Sequence, residues 1–301
     1  MNTTFKLLSG ALALALAGQA QAGTTNWLLT SAAVSSNAYV TSAGGTSVTA
    51  TGWANTAGTT GSQNGGNTTP LEQQKATADI NGNLTGNLRL YSGGLGINNL
   101  DGCANASGTC DVGDTASTAP EHALDNNQRY EMVLLSFSKS VQLTNAKFGW
   151  TGTSDCTGSN CRTPGSAETL STWDSDYTVL AYTGSGAPSF AGLTWATLGS
   201  DWTVIGSYAN ATDGTNNAIN SAGKYSSYWL IGAYNPLADT TTTGLLAGND
   251  YLKLASVTGN VCTTGTGPNC GSGGNVPEPG SLALFAGAMM GLVGLRRRKA
   301  S

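Results

Sequence analysis

Charge is scarce in this 301-residue chain: Asp, Glu, Lys and Arg together make up 10% of it, where roughly 25% is usual. Only 13 residues are Lys or Arg against 17 Asp or Glu. Setting aside Lys6, the terminal Arg296, Arg297, Arg298 and Lys299, and Glu278 leaves 8 basic and 16 acidic residues, a net of about −8 for the rest of the chain. Phosphate recognition needs clustered cations, so a nucleic-acid partner is excluded. Histidine occurs once, at His122, which removes His-built zinc sites. Neither Gly-x-Ser-x-Gly nor His-Glu-x-x-His is present. No Cys-x-x-Cys occurs either. Helical periodicity is nearly absent.

What is abundant is Gly, with 42 residues, alongside Thr, Ser and Asn. Disorder usually couples low hydrophobicity to high charge. Here charge is low, and apolar, aromatic runs recur between Gly, Asn, Asp and Pro. These are Leu84 to Tyr91, Tyr130 to Ser138, Val141 to Trp150, Tyr177 to Tyr182, Trp202 to Tyr208, Tyr228 to Ala233 and Tyr251 to Val257. Such punctuation predicts antiparallel strands. With no helices between them, the expected fold is all-β, an antiparallel β-sandwich of jelly-roll type. Thr41 to Asn67 reads as an edge hairpin or a loop.

The two ends have a different character. Lys6 is followed by the apolar run Leu7 to Gly18 and by Ala20-Gln21-Ala22. A positive start, an apolar centre and a small-x-small ending describe a secretory signal peptide over residues 1–22, which implies the translocon and signal peptidase. At the other end, Ser281 to Leu295 carries no charge, and Arg296, Arg297, Arg298 and Lys299 follow directly. Fifteen residues fall short of the ~17 that a span ordinarily needs. The basic cluster favours the cytoplasmic side. Val276-Pro277-Glu278-Pro279 stands just before the apolar stretch, and its two prolines favour extended backbone that an enzyme can grip.

This tripartite end resembles the PEP-CTERM sorting signal recognised by exosortases, membrane-embedded cysteine enzymes. The resemblance implies a membrane stop at Arg296, Arg297, Arg298 and Lys299, and processing near Val276, Pro277, Glu278 and Pro279. It also implies display on the outer surface, or in the exopolysaccharide or biofilm matrix, of a Gram-negative-type bacterium. An ordinary single-pass anchor, a sortase signal and a rhomboid-type signal using Gly273-Gly274 are the alternatives. No Leu-Pro-x-Thr-Gly is present for the second. The organisation expected is therefore a signal peptide over 1–22, a β-sandwich over 23–264, a Gly-rich spacer over 265–275, and the sorting signal over 276–301.

The six cysteines fall into close pairs, Cys103/Cys110, Cys156/Cys161 and Cys262/Cys270. Six cysteines allow 15 pairings. Neighbours close the shortest loops and an exported chain meets an oxidising compartment, so three local disulfides are predicted.

The block from Pro120 to Trp150 is the most distinctive: Pro120-Glu121-His122-Ala123-Leu124-Asp125-Asn126, then a run ending Gly149-Trp150, and later Ser175-Asp176-Tyr177 to Tyr182-Thr183-Gly184. It resembles a group of exosortase-dependent surface proteins of undefined activity. It also resembles galactose-binding or discoidin-like jelly rolls, in which such a turn helps hold calcium. Calcium takes six to eight oxygens, and Asp125, Asn126 and Asn127 could supply three; the alternative is a plain side-chain-stabilised turn. His122 is read as a loop-to-strand hydrogen-bonding residue. Asp174/Asp176 could suggest glycoside hydrolysis, but nearby acids in a turn are more often solvated or make caps, and no enzyme is predicted. Trp150, Trp173, Trp195, Trp202 and Trp229 are candidate sugar-stacking residues or core anchors. The functional expectation is a surface or matrix protein with a structural or adhesive role. A calcium-stabilised carbohydrate-binding module is the alternative, and a glycan-active hydrolase the rival class.

Overall fold

The computed structural model describes residues 24–35, 37–56, 68–76, 87–98, 122–127, 129–152, 173–262 and 270. All of them belong to one compact unit that extends to Cys270. The predicted signal peptide, the sorting signal and Cys103, Cys110, Cys156 and Cys161 lie outside the described residues. Among the described residues, no helix is long and apolar enough to cross a membrane.

Among the described residues, fourteen strands form. In chain order they are β1 (Thr25–Leu28), β2 (Ala33–Ser35), β3 (Ala38–Ala43), β4 (Thr46–Ala54), β5 (Glu72–Ala76), β6 (Asn87–Tyr91) and β7 (Gly94–Asn98). They continue as β8 (Leu124–Asp125), β9 (Glu131–Thr151), β10 (Tyr177–Tyr182), β11 (Trp202–Tyr208), β12 (Asn216–Ala218), β13 (Ser226–Ala233) and β14 (Tyr251–Val261). The all-β class expected from the punctuated apolar runs is the class that forms. All pairs are antiparallel except β5 with β6.

The organising element is β9, which is 21 residues long. Its first part, Glu131 to Phe137, pairs with β4 on one side and with β13 on the other. Its second part, Val141 to Thr151, pairs with β14. Neighbour-to-neighbour pairing therefore runs β9, β14, β7, β6, β5, β4 and back to β9, closing a circuit around an apolar interior. The free side of β14 is tiled by β8, β7 and β1 in turn. Two expectations are corrected here. Tyr130 to Ser138 and Val141 to Trp150 fall almost entirely within one strand, because the extended backbone continues through Lys139 and Ser140, where the pairing with β13 shifts register. The hairpin read as an edge is not one, because β4 is paired by β3, β5 and β9.

Inside the circuit lie Trp27, Val48, Ala50, Leu88, Leu95, Ile97, Val133, Leu135, Phe148, Leu252 and Leu254, with Val179, Trp229 and Ile231 from the β10–β13 side. Strand β4 alternates buried and half-buried residues along its length, as a period-two chain facing a core must. Strand β10 is buried at every position, because both its faces are covered. Val179 and Ala181 face the interior. Leu180 and Tyr182 join Met132, Leu134, Phe190, Trp195 and Trp202 in a second apolar layer on the opposite face. The buried indole N–H groups find acceptors: Trp27 Nε1 donates to the Thr46 carbonyl at 2.9 Å, Trp195 Nε1 to that of Tyr130 at 2.9 Å and Trp229 Nε1 to that of Ser226 at 3.0 Å. These pairings remove the cost of burying a polar N–H with the ring.

Candidate functional site

Three separate turns converge at the start of β14. Pairing of β8 with β14 sets Asp125 opposite Tyr251 and Leu124 opposite Leu252. Asp174 forms a parallel bridge with Asp250: its amide donates to the Asn249 carbonyl at 2.7 Å, and its carbonyl accepts from the Tyr251 amide at 2.9 Å. A Cβ on Gly152 would stand 2.1 Å from that Asp174 carbonyl oxygen, so the close approach of these segments requires glycine.

The result is a cluster of three buried carboxylates, Asp174, Asp176 and Asp250, with ligand oxygens all within 4.8 Å of one another. Asp250 is fully buried and the other two nearly so. The Asp176 amide donates to Asp250 Oδ1 at 2.8 Å, the Asn210 amide to Asp176 Oδ1 at 2.8 Å, and the Ser175 amide to Asp174 Oδ1 at 2.7 Å. Burial, then the neighbouring charges of Asp176 and Asp174, push the Asp250 carboxyl well above the ordinary carboxylate range. Three like-charged groups at this spacing cannot all stay ionised without a compensating positive charge. A proton or a bound cation would relieve that repulsion. Oxygen-only ligands suit a hard divalent ion such as calcium.

Of the predicted calcium residues, Asn126 reaches this cluster. Its Nδ2 donates to Asp250 Oδ2 and, at 2.8 Å, to the Tyr234 carbonyl, while its Oδ1 accepts from the amides of Gly248 and Asp250 at 2.9 and 3.0 Å. Asp125 makes the turn anticipated as the alternative, with Oδ1 accepting from the Asn127 amide at 3.0 Å. Asp174 and Asp176, read as acids that are solvated or make caps, are buried and accept backbone amides.

Sequence reasoning missed Asp250 and Lys253. Lys253 is 5% exposed, with Nζ 4.8 Å from the Trp150 ring centre and 5.0 Å from that of Tyr91. Burial lowers its ammonium pKa to about 8. The ring of His122 meets the edge or face of Tyr91 at 4.5 Å in a T-shaped contact. Trp150 and Trp173 are part-buried and 6.2 Å apart, whereas Trp195, Trp202 and Trp229 are core residues. The signal that could have found Asp250 is the Gly248-Asn249-Asp250 turn immediately before an apolar run, a counterpart of Asp125-Asn126-Asn127.

One of the predicted disulfides lies within the described residues. Cys262 and Cys270 are bonded, with Cα atoms 5.7 Å apart, and the Cys262 amide donates to the Ser140 carbonyl at 2.8 Å.

No curated protein and no solved structure matches the chain. Residues 275–299 match the family model of the PEP-CTERM protein-sorting motif. The chain therefore carries a PEP-CTERM protein-sorting motif at its carboxy terminus, which implies an exported protein that depends on an exosortase.

Proposed function

We propose that this is a non-enzymatic surface or extracellular-matrix protein of a Gram-negative-type bacterium. In this reading it enters the translocon by a signal peptide, is held briefly in the inner membrane, and is released by an exosortase. Its all-β domain, read as a sandwich of jelly-roll type, then serves a structural or adhesive role beside exopolysaccharide or in biofilm. The observation that carries this reading is the match over residues 275–299, supported by an apolar stretch too short for a comfortable permanent span. The folding of β9 onto two different partner sets, β4 and β13 first and β14 second, supports the sandwich description. The test is the double variant Pro277→Ala with Glu278→Ala: unprocessed precursor should accumulate in the inner membrane, and unchanged processing overturns the assignment.

A second reading is a calcium-stabilised carbohydrate-binding module. It is favoured by the convergence of Asp174, Asp176 and Asp250 with Asn126 bonded to Asp250. Asp174, Asp176 and Asp250 would hold the ion, which would neutralise their mutual repulsion and lock the turns at the start of β14. Trp150 and Trp173, the part-buried members of the five candidate rings, are then the ones to present to a sugar.

A further inference from the structure

Lys253 lies on β14 between Leu252 and Leu254, whose side chains enter the interior, so its own side chain stands on the outer face of the sheet. There it meets Trp150, its register partner on β9. The β6–β7 turn closes on this end of β9, where a Cβ on Gly149 would stand 2.4 Å from the Gly93 carbonyl oxygen. Tyr91 thereby joins Trp150, and the Lys253 ammonium lies over both rings, 5.0 and 4.8 Å from their centres. Trp173 completes the group, 6.2 Å from Trp150 and 6.1 Å from Tyr251.

Two donors in this group are out of keeping with the rest of the fold. Lys253 is 5% exposed, yet among the described residues no carboxylate, carbonyl or hydroxyl accepts from it. Its contacts are ring faces, and burial is what displaces its pKa. The Trp173 indole N–H is buried without an acceptor among the described residues, whereas those of Trp27, Trp195 and Trp229 each have one. Cation–π attraction offsets only part of the cost of desolvating an ammonium. An apolar side chain of similar volume would fill the same space without that cost. Both donors flank Trp150, which is half-buried, as is Trp173.

We propose that this group binds a carboxylate-bearing sugar, a uronate unit of an acidic glycan, and that Lys253 selects for the charge. This rests on the carbohydrate-binding reading above. The two unmet groups are donors, so the ligand brings acceptors, and an anionic one neutralises the ammonium. Aromatic faces are electron-rich and attract the C–H face of a pyranose ring. A uronate joins these properties in one unit: a C–H face for the half-buried indoles and, at its rim, a planar group with two oxygens for Lys253 Nζ and Trp173 Nε1. A neutral sugar stacks but leaves the ammonium without a counter-charge.

The test is calorimetric titration of the purified full chain, at a fixed calcium concentration, with short oligomers of galacturonate, mannuronate and glucuronate. At least one should bind, and its methyl ester, which keeps the ring and removes the charge, should bind about ten- to a hundredfold more weakly. Lys253→Met should lose the same factor for the acid and leave the affinity for the ester unchanged. If that variant does not fold, the comparison of acid with ester on the unaltered chain decides alone. Equal affinity for acid and ester, or full affinity for the acid in a folded Lys253→Met, would overturn the proposal and leave the carbohydrate reading standing. So would binding of neutral glucose or galactose oligomers with none of the uronates bound. Failure of acidic and neutral oligomers alike would defeat the carbohydrate reading together with the proposal.

Discussion

The side chain of Asn126 is bonded to both the backbone and the carboxylate of Asp250, 124 positions further along the chain. One amide thus joins the turn before β9 to the turn before β14, and a further bond takes it to Tyr234 at the end of β13. Replacing it with Ala leaves the Gly248 and Asp250 amides and the Tyr234 carbonyl short of a partner in a buried setting. The expected cost for Asn126→Ala is about 2–4 kcal/mol, from orphaned buried polar groups. Urea midpoints measure it, and a change below about 0.5 kcal/mol, the level of a neutral surface substitution, would show that the bridge contributes nothing.

Calcium should stabilise the domain if the carboxylate cluster holds it. At a free concentration 100 times Kd the gain is about 2.7 kcal/mol, a rise in Tm of roughly 5–10 °C for a domain of this size. The rise should vanish in Asp174→Asn/Asp176→Asn. Identical melting in calcium and in chelator, for the unaltered chain, removes the second reading.

Asp239 predicts an acid-sensitive contribution. Burial alone would raise its pKa, but the hydroxyls of Thr242, Thr241 and Ser207 and the Thr241 amide donate to it and outweigh burial, holding it well below the ordinary value of 3.8. A depressed carboxylate stabilises the fold above its unfolded pKa and loses that contribution as pH falls below about 4. Asp239→Asn should cost about 1–3 kcal/mol at neutral pH, as for hydrogen bonds to a charged group. It should also flatten the acid limb of the stability curve. A variant whose acid limb matches that of the unaltered protein contradicts this.

Lys253 predicts the opposite behaviour on the alkaline side. Its folded pKa of about 8 lies below the ordinary 10.5, so from pH 8 to 10.5 the unfolded chain binds more protons and stability rises with pH. The faces of Tyr91 and Trp150 attract the ammonium and reduce this rise, leaving on the order of 1–3 kcal/mol. Lys253→Met should abolish the rise while matching or exceeding the parent at pH 7. Equilibrium unfolding at pH 7 and pH 10 decides it; a rise that survives in the Met variant assigns the effect elsewhere.

The strands that could be read directly were those whose own side chains decide them. Tyr177–Tyr182 and Trp202–Tyr208 form with the predicted bounds, since apolar runs between Asp, Gly and Asn leave little choice. Strands decided by a distant partner were illegible. Asn216–Ala218 is polar and exists because Lys147, Ala146 and Asn145 pair with it. Glu72–Ala76 is polar too, and is strand because β4 pairs with it. At the site, the Asp125–Asn127 turn was visible as a local oxygen-rich sequence. Its meeting with Asp174, Asp176 and Asp250 was not, because that depends on the register of β8 against β14 and on a bridge between residues 174 and 250.

Strand β14 separates two things by its length. Asp250 stands immediately before it and Cys262 immediately after, about 40 Å apart at the usual rise per residue. That is several Debye lengths at physiological salt, about 8 Å each. Charges gathered at the Cys262 end of the strand are consequently screened from the carboxylate cluster. The titration of the cluster should therefore follow the medium around the start of β14 rather than anything bound beside Cys262.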